Sequence, residues 1–121
     1  MSSKEQMVNE VLAEWVGFKE RSTPGHNSTW WEMDGYPYAG CPDFMNSETD
    51  CFKWLVPMLR EKGHGLDITV GRSGAFVNLF DLDEEGGDDS PPVLALGIDA
   101  SVAAAICSAV LALIRIESAV D

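Results

Sequence analysis

Apolar positions along this chain fall into three stretches of helical spacing, separated by short runs that alternate or end at turn residues. Met7, Val8, Val11, Leu12 and Trp15 recur at steps of three and four, which predicts an amphipathic helix over residues 3–14. Gly17 stops it, and Phe18 follows as a packing residue. Residues 21–28 hold Pro24, Gly25 and Asn27 and predict a turn region. Residues 29–33 are β-branched and aromatic, which predicts a short strand closed by the Asp34-Gly35 turn. With Pro37, Gly40 and Pro42, residues 36–44 predict irregular loop. A second helix follows, capped by Asn46 or Ser47, with Asp50 three residues after Ser47 as in a capping box. Arg60 and Lys62 sit in its last turn and Gly63 closes it. Its expected buried stripe is Phe52, Leu55, Val56 and Leu59, and Pro57 deletes the bond to the Lys53 carbonyl, predicting a kink.

Beyond Gly63 the period changes to two. Leu66, Ile68 and Val70 alternate with Asp67 and Thr69, and Gly71-Arg72-Ser73-Gly74 predicts a hairpin loop. The returning strand, residues 75–82, carries Ala75, Val77 and Leu79 on one face and Phe76, Phe80 and Leu82 on the other. Two apolar faces predict a central strand covered on both sides. An acidic loop over residues 83–92 leads to a fourth strand over residues 93–96, and Gly97 and Asp99 open the last helix, residues 100–117. That helix is apolar nearly all round, so it is expected to be buried in the fold or in a homo-oligomer contact, and the small size of the domain favours the second. The expected fold is α+β: a mainly antiparallel four-stranded sheet covered by three helices, in the order α-β-α-β-β-β-α, forming one domain over residues 1–121.

Charge narrows the function. With 20 acidic and 8 basic residues the formal charge is -12, a field that repels phosphate backbones and anionic membranes and argues against nucleic-acid and membrane partners. It fits simple solubility, affinity for a cation or basic partner, or mimicry of DNA. Cys41, Cys51 and Cys107 are an odd number, and no apolar signal core opens the chain, so a reducing, cytoplasmic setting is expected. The longest apolar run, residues 102–114, is too short to span a bilayer.

Four segments carry a resemblance: AEWVGF at residues 13–18, WWEMDG at 30–35, PDFMNSETDCFKW at 42–54 and SVAAAICSAVLAL at 101–113. In order and spacing the chain resembles the small phage proteins grouped as the phage αβα-sandwich domain. Ser108 stands where that family often has a basic residue, and Pro57 interrupts a helix that usually runs smoothly. The resemblance implies an α/β sandwich and a phage or prophage origin, and implies no activity.

Residues 29–63 concentrate the candidate chemistry, with three of the four Trp and both Tyr. One reading is a pocket for a small anionic or aromatic ligand, nucleotide-like, formed by Trp30, Trp31, Tyr36 and Tyr38 with Arg72 as an anion contact. The plain alternative is that the aromatics plug a seam between strand and helix. Asp81, Asp83 and Glu85 followed by Gly86 resemble the start of a calcium loop, but Pro92 stands where a bidentate Glu is needed, so no metal is expected. Cys41, Cys51, His26 and His64 lack metal-ligand spacing, and nothing pairs a thiol with a base, so no cofactor and no catalytic residue is expected. The function this favours is a non-enzymatic phage accessory protein acting by binding, such as an anti-defence factor sequestering a small ligand between subunits. An acidic decoy for a basic host protein and an uncharacterised enzyme are the alternatives.

Overall fold

The computed structural model describes residues 3–22, 25, 29–38, 40–82 and 93–120. Its elements in order are α1 (Ser3–Val16), β1 (Lys19–Ser22), β2 (Thr29–Met33), β3 (Tyr36–Tyr38), α2 (Glu48–Asp50), a π-helical turn (Cys51–Leu55), α3 (Val56–Glu61), β4 (His64–Gly71), β5 (Gly74–Asp81), β6 (Val93–Asp99) and α4 (Val102–Val120). α2, the π turn and α3 run on as one middle helix. The class is α+β as expected, but the single four-stranded sheet is replaced by two three-stranded antiparallel sheets, ordered β1-β2-β3 and β4-β5-β6.

The first sheet differs from expectation for local reasons. β1 reads Lys-Glu-Arg-Ser and is exposed at every position, so no apolar alternation announces it. β3 contains Pro37, which looked like a loop residue. It is tolerated because β3 is an edge strand, paired only with β2, and needs ladder bonds on one side alone. Asp34 (φ 51°) and Gly35 (φ 85°) both take positive φ, the signature of a two-residue type I′ turn, which sets Met33 opposite Tyr36.

Helix starts and stops follow the sequence. The Gly17 and Phe18 amides return to the Ala13 carbonyl, ending α1 with Gly17 at φ 119°. Ser47 caps the middle helix, its hydroxyl accepting from the Asp50 amide at 3.1 Å. The conflict at Pro57 is met one turn earlier by the π turn, where the Val56 amide reaches back to the Cys51 carbonyl. A π turn under-rotates each step of four where an α-helix over-rotates it. Cys51, Leu55 and Leu59 therefore stay in one fully buried row. Phe52 falls off that row and is 46% exposed, against the expected stripe. In α1 the buried row is Asn9, Leu12, Ala13 and Val16, leaving the expected core residues Met7 and Val11 exposed.

α4 packs across β5 and β6, with α1 and the π turn on its other flanks. Gly97, expected to open the last helix, lies inside β6. A Cβ there would stand 2.1 Å from the Ala105 carbonyl oxygen, so glycine and the small residues of α4 let helix and strand approach closely. The helix begins later, with Ser101 accepting from the Ala104 amide at 3.1 Å. One chain thus covers Ala103–Cys107, Ala109, Val110 and Leu113 by itself. The apolar character that suggested an oligomer contact through the last helix has an explanation within the monomer.

β5 is central, as expected, with Ala75, Val77 and Leu79 buried under α4. Among the described residues its other face has no cover: Phe76 is 47% exposed, and its neighbours across the strands are Thr69 and Ile98.

Candidate functional site

The four aromatics of the expected pocket are divided between environments. Trp31 and Tyr38 face each other across β2 and β3. Trp31 is buried, and Tyr38 meets Phe18 edge-on at 5.5 Å and Trp54 at 5.9 Å, while Phe18 and Trp54 stand 4.9 Å apart. This three-ring cluster joins the first sheet to the middle helix. Trp30 points to the opposite face of the sheet, across from Arg21, whose Nε donates to Glu32 at 3.2 Å. Tyr36, just past the turn, is 70% exposed. Arg72 sits at the exposed tip of the β4–β5 hairpin, on the other sheet. Trp31 and Tyr38 are brought together; Trp30, Tyr36 and Arg72 each stand elsewhere. The aromatic partner that pattern reasoning left out is Trp54, which lies on the middle helix beside the expected stripe.

The start of the middle helix is filled by the protein's own carboxylates. The Asp43 amide donates to Asp50 Oδ2 at 3.2 Å, and the Asp43 carboxylate accepts from Asn46 and from Asn9 Nδ2 at 3.0 Å. Among the described residues Asn9 is the one polar side chain buried with the core; its Oδ1 also accepts from the Met45 amide at 3.0 Å, tying α1 to the loop before the helix. This network is structural: it satisfies backbone donors at a part-buried helix start.

Cys51 and Cys107 are core groups, and Cys41 is half-buried beside the core. Cys51 Sγ donates to the Phe44 carbonyl at 3.1 Å. The Cys107 thiol is pushed well up from its ordinary range by its hydrogen bond with Cys51 and by burial. Cys41 is pushed up to about 12, first by burial and then by the charges of Glu10, Asp43, Glu20 and Asp50. A raised pKa keeps a thiol neutral and a poor nucleophile. His64 opens β4 opposite Asp81 and is partly buried. Among the described residues no group of three or more His, Cys, Asp or Glu is placed to hold a metal ion. The acidic loop with the calcium-like spacing, from Asp83 onward, and His26 lie outside the described residues.

Between α1 and α4 runs a groove of about 390 Å³, lined by Met7, Val8, Val11 and Leu111 with Lys4 and Arg115 at its rim. Met7 is 66% exposed, so this is the half of the α1 apolar stripe that the fold leaves uncovered. At its Lys4 end the groove meets a hollow of about 270 Å³ that adds Glu5, Met45, Asp99 and Ser108. Acidic side chains line the hollow, whereas the main groove has basic ones alone. A second cavity of about 290 Å³ lies between Asp34 and the middle helix, with Met33, Trp54, Pro57 and Met58 in its walls and charges of both signs, Lys53, Asp34 and Glu61. Searches against models of known families, curated proteins and solved structures find no match. No helix among the described residues is long and apolar enough to cross a membrane. The groove is thus characterised by its own chemistry: apolar walls, a volume within the ~300–1,000 Å³ of small-molecule sites, and two cations at the mouth.

Proposed function

We propose that this protein acts by binding, without catalysis, and that its ligand is a small amphipathic anion held in the α1–α4 groove. The observation that carries the reading is the placement of Lys4 and Arg115 beside Met7, Val8, Val11 and Leu111. The chain has 8 basic residues against 20 acidic ones, so an anion approaching it is repelled over most of the surface. Two cations flanking an apolar trough reverse that locally, and the trough supplies the hydrophobic share of the affinity. The raised pKa values of the half-buried Cys41 and the buried Cys107 thiols support a binding role over nucleophilic chemistry. The groove is favoured over the aromatic set because Trp31 and Tyr38 are spent on the seam, while Arg72 belongs to the other sheet. The resemblance to small phage proteins supports an accessory role in a phage or prophage, within the host cytoplasm, in which sequestering such an anion would be the activity.

The test is calorimetric titration of the protein with octanoate, with octanol as the uncharged analogue and with a nucleoside monophosphate as the nucleotide-like alternative. With a ligand of this size seated in the groove, the protein binds octanoate with a Kd of about 1 mM or below. Lys4→Glu with Arg115→Glu abolishes that binding while leaving the fold intact, both side chains being exposed. Equal affinity for octanol and octanoate, or nucleotide binding that survives the double substitution, overturns the assignment to this groove.

A further inference from the structure

The second sheet has an apolar surface that the described residues do not cover. On the face away from α4, Phe76 and Phe80 of β5 stand beside Leu96 and Ile98 of β6, and Leu82 and Val93 continue the band. Phe80 lies over Gly65 of β4, where an added Cβ would come within 2.7 Å of its ring, so the absence of a side chain at Gly65 lets the band extend onto the third strand. Apart from the partly buried Phe80, these side chains are between 45% and 57% exposed. An antiparallel sheet with one wet face alternates polar outward. This one does not, and it is the pattern that made β5 read as covered on both sides.

We infer that the uncovered face of β4-β5-β6 mates with the same face of a second copy, making a two-fold homodimer in which two sheets stack face to face. This assignment is independent of the ligand groove, which lies on the α1–α4 side. Three features identify the occupant. The first is charge: on the outward positions of the three described strands the single ionisable side chain is Asp67, so the face offers a basic protein almost nothing to pair with. A chain of charge -12 can approach its own copy only through a charge-poor face. The second is area. Five large side chains at half exposure present on the order of 450 Å² of apolar surface per copy. Two copies and the flanking Thr69 and Asn78 bring the total to the ~1,000 Å² that a specific interface needs. The third is composition: residues 83–92, which join β5 to β6 in sequence, have no apolar side chains beyond Pro91 and Pro92 and carry five carboxylates, so they offer such a face little to match. In the stacked arrangement Phe76 and Ile98, each present twice, sit at the centre.

Sedimentation equilibrium on the full chain between about 1 and 100 μM tests this. The expected result is a monomer–dimer equilibrium that tightens as salt rises, because screening relieves the repulsion between two acidic copies. Phe76→Asp and Ile98→Asp each raise the dimer Kd by about a hundredfold or more, since every substitution enters the interface twice. Ile116→Asp, an exposed apolar position on α4, leaves it unchanged. Should either aspartate variant lose its circular dichroism signature, Phe76→Thr and Ile98→Thr, which keep β-propensity, replace them. A monomer over the whole range, a dimer weakened by salt, or a dimer broken by the Ile116 variant and not by the Phe76 variants overturns the inference.

Discussion

Gly97→Ala is the sharpest test of how α4 meets the second sheet. The backbone at Gly97 is not in the positive-φ region, so the cost of a methyl group there is purely steric. The new Cβ would lie 2.1 Å from the Ala105 carbonyl oxygen, 2.5 Å from the Ala109 amide nitrogen and 2.9 Å from the Ala109 Cβ. Two of these three atoms are helix backbone, which cannot rotate away as a side chain can. Restoring ordinary contact requires α4 to lift off β6 by about 1 Å, and a gap of that size forfeits roughly a quarter to a half of the dispersion energy across it. The loss falls on Val77, Leu79, Ile106 and Val110, all fully buried. Overpacking of this kind costs about 3 kcal/mol, the upper end of the usual range, against about 0.4–1 kcal/mol gained from the stiffer unfolded chain. The net is about 2 kcal/mol or more, a fall in Tm of roughly 6–10 °C. Urea denaturation followed by tryptophan fluorescence reads it as a lower midpoint at unchanged slope. Gly71→Ala is the control, because its Cβ meets nothing nearer than 3.9 Å, and stability there stays within about 1 kcal/mol. Adding Ala109→Gly to Gly97→Ala removes the 2.9 Å contact but neither backbone clash, so the double variant stays destabilised. Recovery in that double variant, or a Gly97→Ala protein as stable as the parent, would refute the close-packing argument.

Two further outcomes follow from buried groups. Asn9→Ala strips a partner from Asp43 and leaves the Met45 amide without its acceptor, at a cost of about 2–3 kcal/mol read by thermal unfolding, while Asn9→Asp costs at least as much at neutral pH because it sets a second carboxylate beside Asp43. Cys41 labels slowly with a thiol reagent: with its pKa raised from 9.0 to about 12, thiolate at pH 8 is about a thousandfold scarcer, and the rate climbs roughly tenfold per pH unit towards 12. Labelling at the speed of free cysteine at pH 8 would contradict the buried, acid-flanked placement of that thiol.

The helix boundaries were legible because capping chemistry is local. Ser47, Gly17 and Gly63 each act where their side chains, or lack of them, direct. The first sheet was not legible because nothing local marks it: β1 is wholly polar, and Pro37 is excluded from strands only where both edges must pair. Gly97 was misread as a helix opener because a glycine in a strand and one at a helix start look alike until the partner surface is known. The expected site residues were chosen for size and aromaticity, which core and pocket demand alike. Lys4 and Arg115 lie 111 positions apart in the chain and meet at one groove only through the packing of α1 on α4.

Three elements carry more apolar positions than a single wet face explains: α1, β5 and α4. The fold disposes of them differently. α4 is absorbed along most of its apolar surface, because Gly97 and its own alanines let it sink onto β6 while α1 and the π turn close over it, leaving Ile116 exposed and Leu111 in the groove wall. α1 is half absorbed, since the buried Asn9 turns Leu12 and Ala13 inward and leaves Met7 and Val11 out. β5 is absorbed on one face only. Exposing large apolar side chains costs stability and solubility, and a chain of charge -12 already strongly biased towards solubility can carry such surfaces without precipitating. The surplus that packing leaves behind is therefore where the two proposed partners would act: a trough with Lys4 and Arg115 in its lining for an anion on the α1 side, and a charge-poor sheet for a second copy on the β5 side. The two can be separated, because Phe76→Asp removes the dimer without touching the groove, and octanoate binding by that monomer distinguishes a ligand site complete in one chain from one that needs both copies.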